Sequence, residues 1–177
     1  RLKNQTGGVQ RRLVDRASRE VLRRSTLIDD DPHRCWAHLV RARLGEERGD
    51  LAAATAESRL AVAVARDLDL AHYLSFALAR SGRVALLRGD LAHANDALTE
   101  AVAVADTAGA GWFAALARVG LADVRCSQGD LSAARALLRQ AVEWGAGPAA
   151  GSARVTFYRR LAGDPVALAT AALAELG

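Results

Sequence analysis

Three side chains with metal-ligand chemistry lie close together in this chain: His33, Cys35 and His38. Imidazole and thiolate groups make zinc-type sites, but steps of two and three residues scatter these three over different faces of any helix that carries them, so neither a metal nor another cofactor is expected. Such residues serve capping, packing or solvated roles instead. The spellings of a phosphate-binding loop, a G-x-S-x-G nucleophile elbow, an H-E-x-x-H zinc helix and paired C-x-x-C are all missing. Isolated Asp and His residues occur, but no spacing recruits them into a nucleophile and its base. An enzyme is therefore not expected, and the chemistry left to consider is that of a binding surface.

The elements that would carry such a surface follow from composition. The chain has 177 residues, 51% hydrophobic and 25% charged, enough for one soluble domain with a continuous core. Only 5% is aromatic and there are three prolines, so the apolar content is mostly alanine, leucine and valine, which predicts an all-α chain of closely approaching helices. No apolar run approaches the roughly 18 to 20 residues of a membrane span, and no signal-peptide pattern opens the sequence. No membrane partner and a cytoplasmic location are expected. The chain lacks methionine and begins with Arg1, which suggests a piece of a longer polypeptide. Arginine outnumbers lysine 23 to 1, which with the alanine content hints at a GC-rich bacterial genome.

The net charge of +4 is unevenly placed. Residues 1–28 hold eight basic residues against Asp15 and Glu20, a net of +6, which leaves −2 for the remainder. The basic character belongs to an arm, residues 1–28, expected to be helical, and not to the body, residues 29–177.

That body repeats itself. Gly49-Asp50-Leu51 returns as Gly89-Asp90-Leu91 and Gly129-Asp130-Leu131, at a fixed spacing of forty. The segments that follow, "RGDLAAATAESRLAVAVA", "RGDLAHANDALTEAVAVA" and "QGDLSAARALLRQAVEWG", place apolar residues in helical steps of three and four. Each preceding segment reads as a helix too, so each copy is a helical hairpin. Glycine ends the first helix in the left-handed conformation, and Asp50, Asp90 and Asp130 cap the second. Alanines at 54, 94 and 134, and at 61, 101 and 141, mark where neighbouring backbones approach. Gly163-Asp164-Pro165 predicts a shorter fourth unit, with "RVTFYRRLA" and "PVALATAALAEL" as its helices. The units are approximately 32–67, 70–107, 111–147 and 149–177. Cys35 and Cys126 then sit on first helices two units apart, roughly 15 to 20 Å from one another, beyond disulfide reach.

Gly82, Gly89, Asp90, Ala94, Leu98 and Ala101 resemble the small, turn and second-helix positions of tetratricopeptide (TPR) repeats, over roughly residues 32–176. The forty-residue spacing, the absence of a proline closing the second helix, and Ala85 in place of tyrosine depart from that family's 34-residue consensus. In those departures the chain is similar to the helical regions of bacterial transcription regulators, including LuxR-type large ATP-binding regulators and actinobacterial antibiotic-pathway activators. The resemblance implies an α-solenoid with a right-handed superhelical course whose first helices line a concave wall. By position that wall carries Trp36, Arg43, Glu46 and Glu47, then His72, Phe76 and Arg83, then Trp112 and Asp123, then Phe157 and Arg160. Aromatics beside arginines suit a peptide or protein segment or an anionic small-molecule effector. The competing reading is that the aromatics are inter-helix packing and the arginines merely solvated.

Two further surfaces follow. The arm offers Val9, Leu13, Val21 and Leu22 as apolar contacts for docking on the first repeat with its arginines outward, a reading preferred over nucleic-acid binding. The final helix, "ALATAALAEL", is apolar on much of its surface, and is expected to pack on a following unit, another domain or a second copy in a homo-oligomer. The function expected is thus a non-catalytic interaction or effector-sensing region of a larger regulator, with a stand-alone scaffold or chaperone-adaptor as the alternative.

Overall fold

In a computed structural model of the chain, residues 2–25, 32–145 and 164–176 are described. Among them every regular element is a helix: α1 (Leu2–Ser25), α2 (His33–Arg48), α3 (Leu51–Asp67), α4 (Ala71–Leu87), α5 (Leu91–Thr107), α6 (Gly111–Ser127), α7 (Leu131–Gly145) and α8 (Pro165–Glu175). Each helix packs on the one before it, and α2, α4 and α6 also touch in series. Phe157, Arg160 and the segment 154–162 lie outside the described residues.

The Gly-Asp signal works the same way three times. Gly49, Gly89 and Gly129 take φ of 73°, 77° and 79°, a region in which a Cβ clashes with the backbone. The next amide then reaches back to a carbonyl of the outgoing helix: Asp50 N to Gly45 O, Asp90 N to Ala85 O and Asp130 N to Arg125 O, each at 2.9 Å. This 6→1 bond closes the first helix. Each aspartate carboxylate accepts from the amide three residues on, that of Ala53 at 3.0 Å, His93 at 3.1 Å and Ala133 at 2.9 Å, satisfying a donor that the new helix leaves open. The turns between hairpins use the same geometry without the Gly-Asp spelling. Leu70 N reaches Ala65 O at 2.9 Å and Ala110 N reaches Ala105 O at 2.8 Å, and the left-handed residues are Asp69 (φ 51°) and Gly109 (φ 63°).

Ala54, Ala94, Ala134, Ala61, Ala101 and Ala141 are all fully buried, which is the close approach their spacing predicts. Leu98 of α5 is the largest knob in the middle of the row. A Cβ on Gly82 of α4 would lie 2.5 Å from its Cγ, and one on Gly120 of α6 would lie 2.8 Å from its Cδ2. Two missing side chains therefore make the hole this leucine fills. Polar links tie first to second helices at a repeating position: the Cys35 thiol donates to Ala61 O at 3.4 Å and the Ser75 hydroxyl to Ala101 O at 2.9 Å.

The first helix of the expected fourth hairpin, "RVTFYRRLA", lies outside the described residues, and its second, α8, packs on α7 and α6. One expectation changes. The arm is helical as α1, yet Leu13 is 61% and Val21 37% exposed, and the buried residues are Asp15 and Ser18. Charge docks it: Asp15 lies 3.6 Å from Arg41 Nη1 and 3.4 Å from Arg48 Nη2, and also pairs with Arg19, while Arg11 lies 3.6 Å from Glu47. Of the apolar contacts expected of the arm, Leu13 and Val21 stay exposed, Leu22 is half-buried, and the side chain of Val9 lies outside the described residues, while Val14 shares an apolar groove with Leu39, Val40 and Leu44 of α2.

Candidate functional site

The first helices present a ladder whose rungs again differ by forty. Trp36, Phe76 and Leu116 form one row, Val40, Arg80 and Gly120 the next, and Arg43, Arg83 and Asp123 a third. Steps of four and three along each helix keep the rows on one face. All of these but Trp36 and Val40, together with Leu168 of α8, line a groove of about 590 Å³. A second groove of about 420 Å³ continues from it at the amino-terminal end, where α1 forms the other wall through Gln10, Arg11 and Val14. Arg43, Glu47, Phe76 and Arg80 border both grooves.

At the junction sits a nearly dry ion pair. Glu46 Oε1 accepts from Arg80 Nη1 at 3.0 Å, with only 9% and 11% of the two side chains exposed. The other carboxylate oxygen accepts from Arg83 Nε at 3.1 Å. The Arg80 guanidinium lies over the Phe76 ring, 5.7 Å from its centroid. Burial lowers the pKa of Arg80, and the charge and hydrogen bond of Glu46 oppose that shift. Arg80 Nε is buried without an acceptor, a costly state for an ionised donor. Along the third row, desolvation pushes the Asp123 carboxyl up, against the pull of Arg83. In the same row, Arg43 Nε donates to Glu47 at 3.0 Å.

Of the residues expected on the wall, Trp36, Arg43, Glu46, Glu47, Phe76, Arg83 and Asp123 border these grooves. Trp112 does not. It is 3% exposed and packs edge-on against Phe113 at 5.0 Å and Phe76 at 6.2 Å, a core residue. His72 lies on the surface beside Phe113, 5.9 Å ring to ring, and borders neither groove. The reason is register: 72 and 112 share a row one turn ahead of 36, 76 and 116, and that turn lies off the groove, packed against Phe76 at Trp112 and exposed at His72. The same forty-residue step marks Arg80, Leu87, Leu116 and Gly120 as wall positions, a signal present in the sequence but not used.

The apparent His-Cys-His cluster has other employment. Cys35 is fully buried, its thiol pushed up to about 12 by burial. His38 Nδ1 lies 2.8 Å from Glu57, which also accepts from Arg41 Nε at 2.6 Å, and His33 is exposed. Both cysteines are free thiols, and among the described residues no three His, Cys, Asp or Glu side chains are gathered as a metal would need. Among the same residues no helix is long and apolar enough to cross a membrane. None of the protein-family models matches the chain, and none of the curated protein sequences matches it.

Proposed function

We propose that this chain is a TPR-like α-solenoid, and that it serves as the non-catalytic interaction or effector-sensing region of a larger bacterial transcription regulator in the cytoplasm. Its partner lies along the inner wall formed by α2, α4, α6 and α8. The observation that carries the reading is the ladder: three rows of repeat-equivalent side chains, aromatic to aliphatic in one and charged in another, lining two adjoining grooves. A row of stacked units adds a small rotation per unit and so creates such an extended surface. Its mixture of apolar floor and paired charges suits an extended peptide segment, whose backbone and side chains need both. Leu87 and Leu168, 52% and 47% exposed, both face this groove, and large exposed leucines grouped in one concavity are a mark of a contact surface.

Panning a displayed library of random twelve-residue peptides against the chain tests this. Enriched peptides that bind the wild type and lose binding to Leu87→Asp and Leu168→Asp support it. Failure to enrich any peptide, or binding indifferent to both substitutions, overturns it. The regulator part rests on the similarity in repeat style, and the surrounding reading frame tests it: a linked helix-turn-helix or nucleotide-binding segment is expected, and a linked catalytic domain with neither would refute it.

A further inference from the structure

The smaller groove differs from the larger in its charge balance and its shape. Across the 590 Å³ groove Arg43, Arg80 and Arg83 face Glu46, Glu47 and Asp123, a neutral set. Around the 420 Å³ groove, Arg11, Arg43 and Arg80 stand against Glu47 on the wall and Glu46 behind Arg80, a surplus of one cation. Apart from Gln10, the remaining walls are apolar: Val14, Trp36, Leu39, Val40, Leu44 and Phe76. A volume of this size falls within the range of small-molecule sites. At its inner border stands Arg80, which spends Nη1 on Glu46 and leaves Nε, part of the opposite edge of the guanidinium fork, without an acceptor.

We propose that this groove binds a small molecule with an apolar body and one carboxylate. The body lies along Val40, Leu44 and Trp36 beneath α1, and the carboxylate meets the open edge of Arg80 after a small pivot of the guanidinium over Phe76, with Arg11 closing from α1. A planar two-oxygen acceptor matches the guanidinium fork, and it would end the orphaned state of a buried donor. Apolar walls select the body by burial, while a surplus of guanidinium groups selects the head. The inference rests on the reading of the inner wall as the binding surface and goes further by naming the ligand class and the end of the wall that receives it.

The test compares decanoate with decan-1-ol by calorimetric titration and by tryptophan emission, since Trp36 borders the site. Decanoate is expected to bind at least about tenfold tighter than the alcohol, the effect of one hydrogen bond to a charged group. Arg80→Lys, which keeps the charge but not the fork, and Arg11→Gln, on the exposed face of α1, should each weaken decanoate about tenfold or more and leave decan-1-ol unchanged. Arg11→Gln keeps the test decisive if Arg80→Lys does not fold. Equal binding of acid and alcohol, no binding of either, or decanoate binding indifferent to Arg11→Gln overturns the proposal. If decanoate fails while groove-dependent peptides are still captured, the ligand class is wrong and the binding wall stands; if both fail, both are wrong.

Discussion

The Glu46–Arg80 pair offers the sharpest energetic test, because its two charges are both almost out of water. At 3.0 Å, with the effective dielectric of about 20 that suits protein sites, their attraction is about 5 to 6 kcal/mol. Desolvation of two ions offsets much of it, so the pair as a whole adds little. Removing one partner is different: Glu46→Ala strands a guanidinium that is 11% exposed, a loss of about 3 to 5 kcal/mol for a buried charge left alone. Arg83, 61% exposed, contributes under about 1 kcal/mol to this balance. For a chain of this length about 2 to 4 °C of melting temperature goes with each kcal/mol, so Glu46→Ala should melt about 6 to 20 °C lower by differential scanning calorimetry. The double variant Glu46→Leu with Arg80→Met removes both charges and should recover to the wild-type midpoint or above it. Recovery together with lost ligand binding would mean that the pair is kept for recognition, not stability. A Glu46→Ala midpoint within about 2 °C of wild type, or a double variant as unstable as the single one, would refute the reasoning.

Further outcomes follow from the packing and the charges. Ala94→Leu adds three carbons at a fully buried position and should lower stability by about 1 to 3 kcal/mol in urea titration, whereas Ala92→Leu, on the exposed side of the same helix, should change it little. Asp69→Gly relieves a left-handed residue (φ 51°) and should raise stability by up to about 1 kcal/mol; a fall would show that Asp69 contributes through its side chain. Asp15 is held below its ordinary value of 3.8 by the Arg19 hydrogen bond first, with burial opposing and Arg48 assisting. A depressed carboxylate pKa stabilises above the unfolded-state value and loses that effect as pH falls through the folded-state value. The melting difference between wild type and Asp15→Asn should therefore be full at pH 6 and shrink as pH drops below about 4. With its thiol pushed up to about 12, Cys35 should react with a thiol reagent at pH 8 only as fast as the protein opens, while half-buried Cys126 reacts first.

How much of this was legible in the sequence can be judged residue by residue. Gly89 and Asp90 announce their conformation because a left-handed stop and a side-chain cap are local events, decided within four residues of chain. Ala94 and Ala101 announce their burial because helical periodicity and a forty-residue repeat put them on one face. Trp36, Phe76, Arg43 and Arg83 reach the groove for the same reason. Trp112 does not, since a shift of one turn turns a wall position into a packing position, and an aromatic type is equally suited to both; His72, on the same turn, stays exposed off the groove. That Asp15 is a buried anchor for α1 depends on Arg41 and Arg48, more than twenty residues away. Sequence alone therefore determined the helices, their turns and their small-residue contacts, all products of short-range sterics and repeating period. Only the tertiary structure decided that α8 packs on α7 and α6, that Glu46 and Arg80 lose their water together, and that Arg80 keeps one donor unmet, because desolvation is set by what separate helices, here α2 and α4, bring to the same few ångströms.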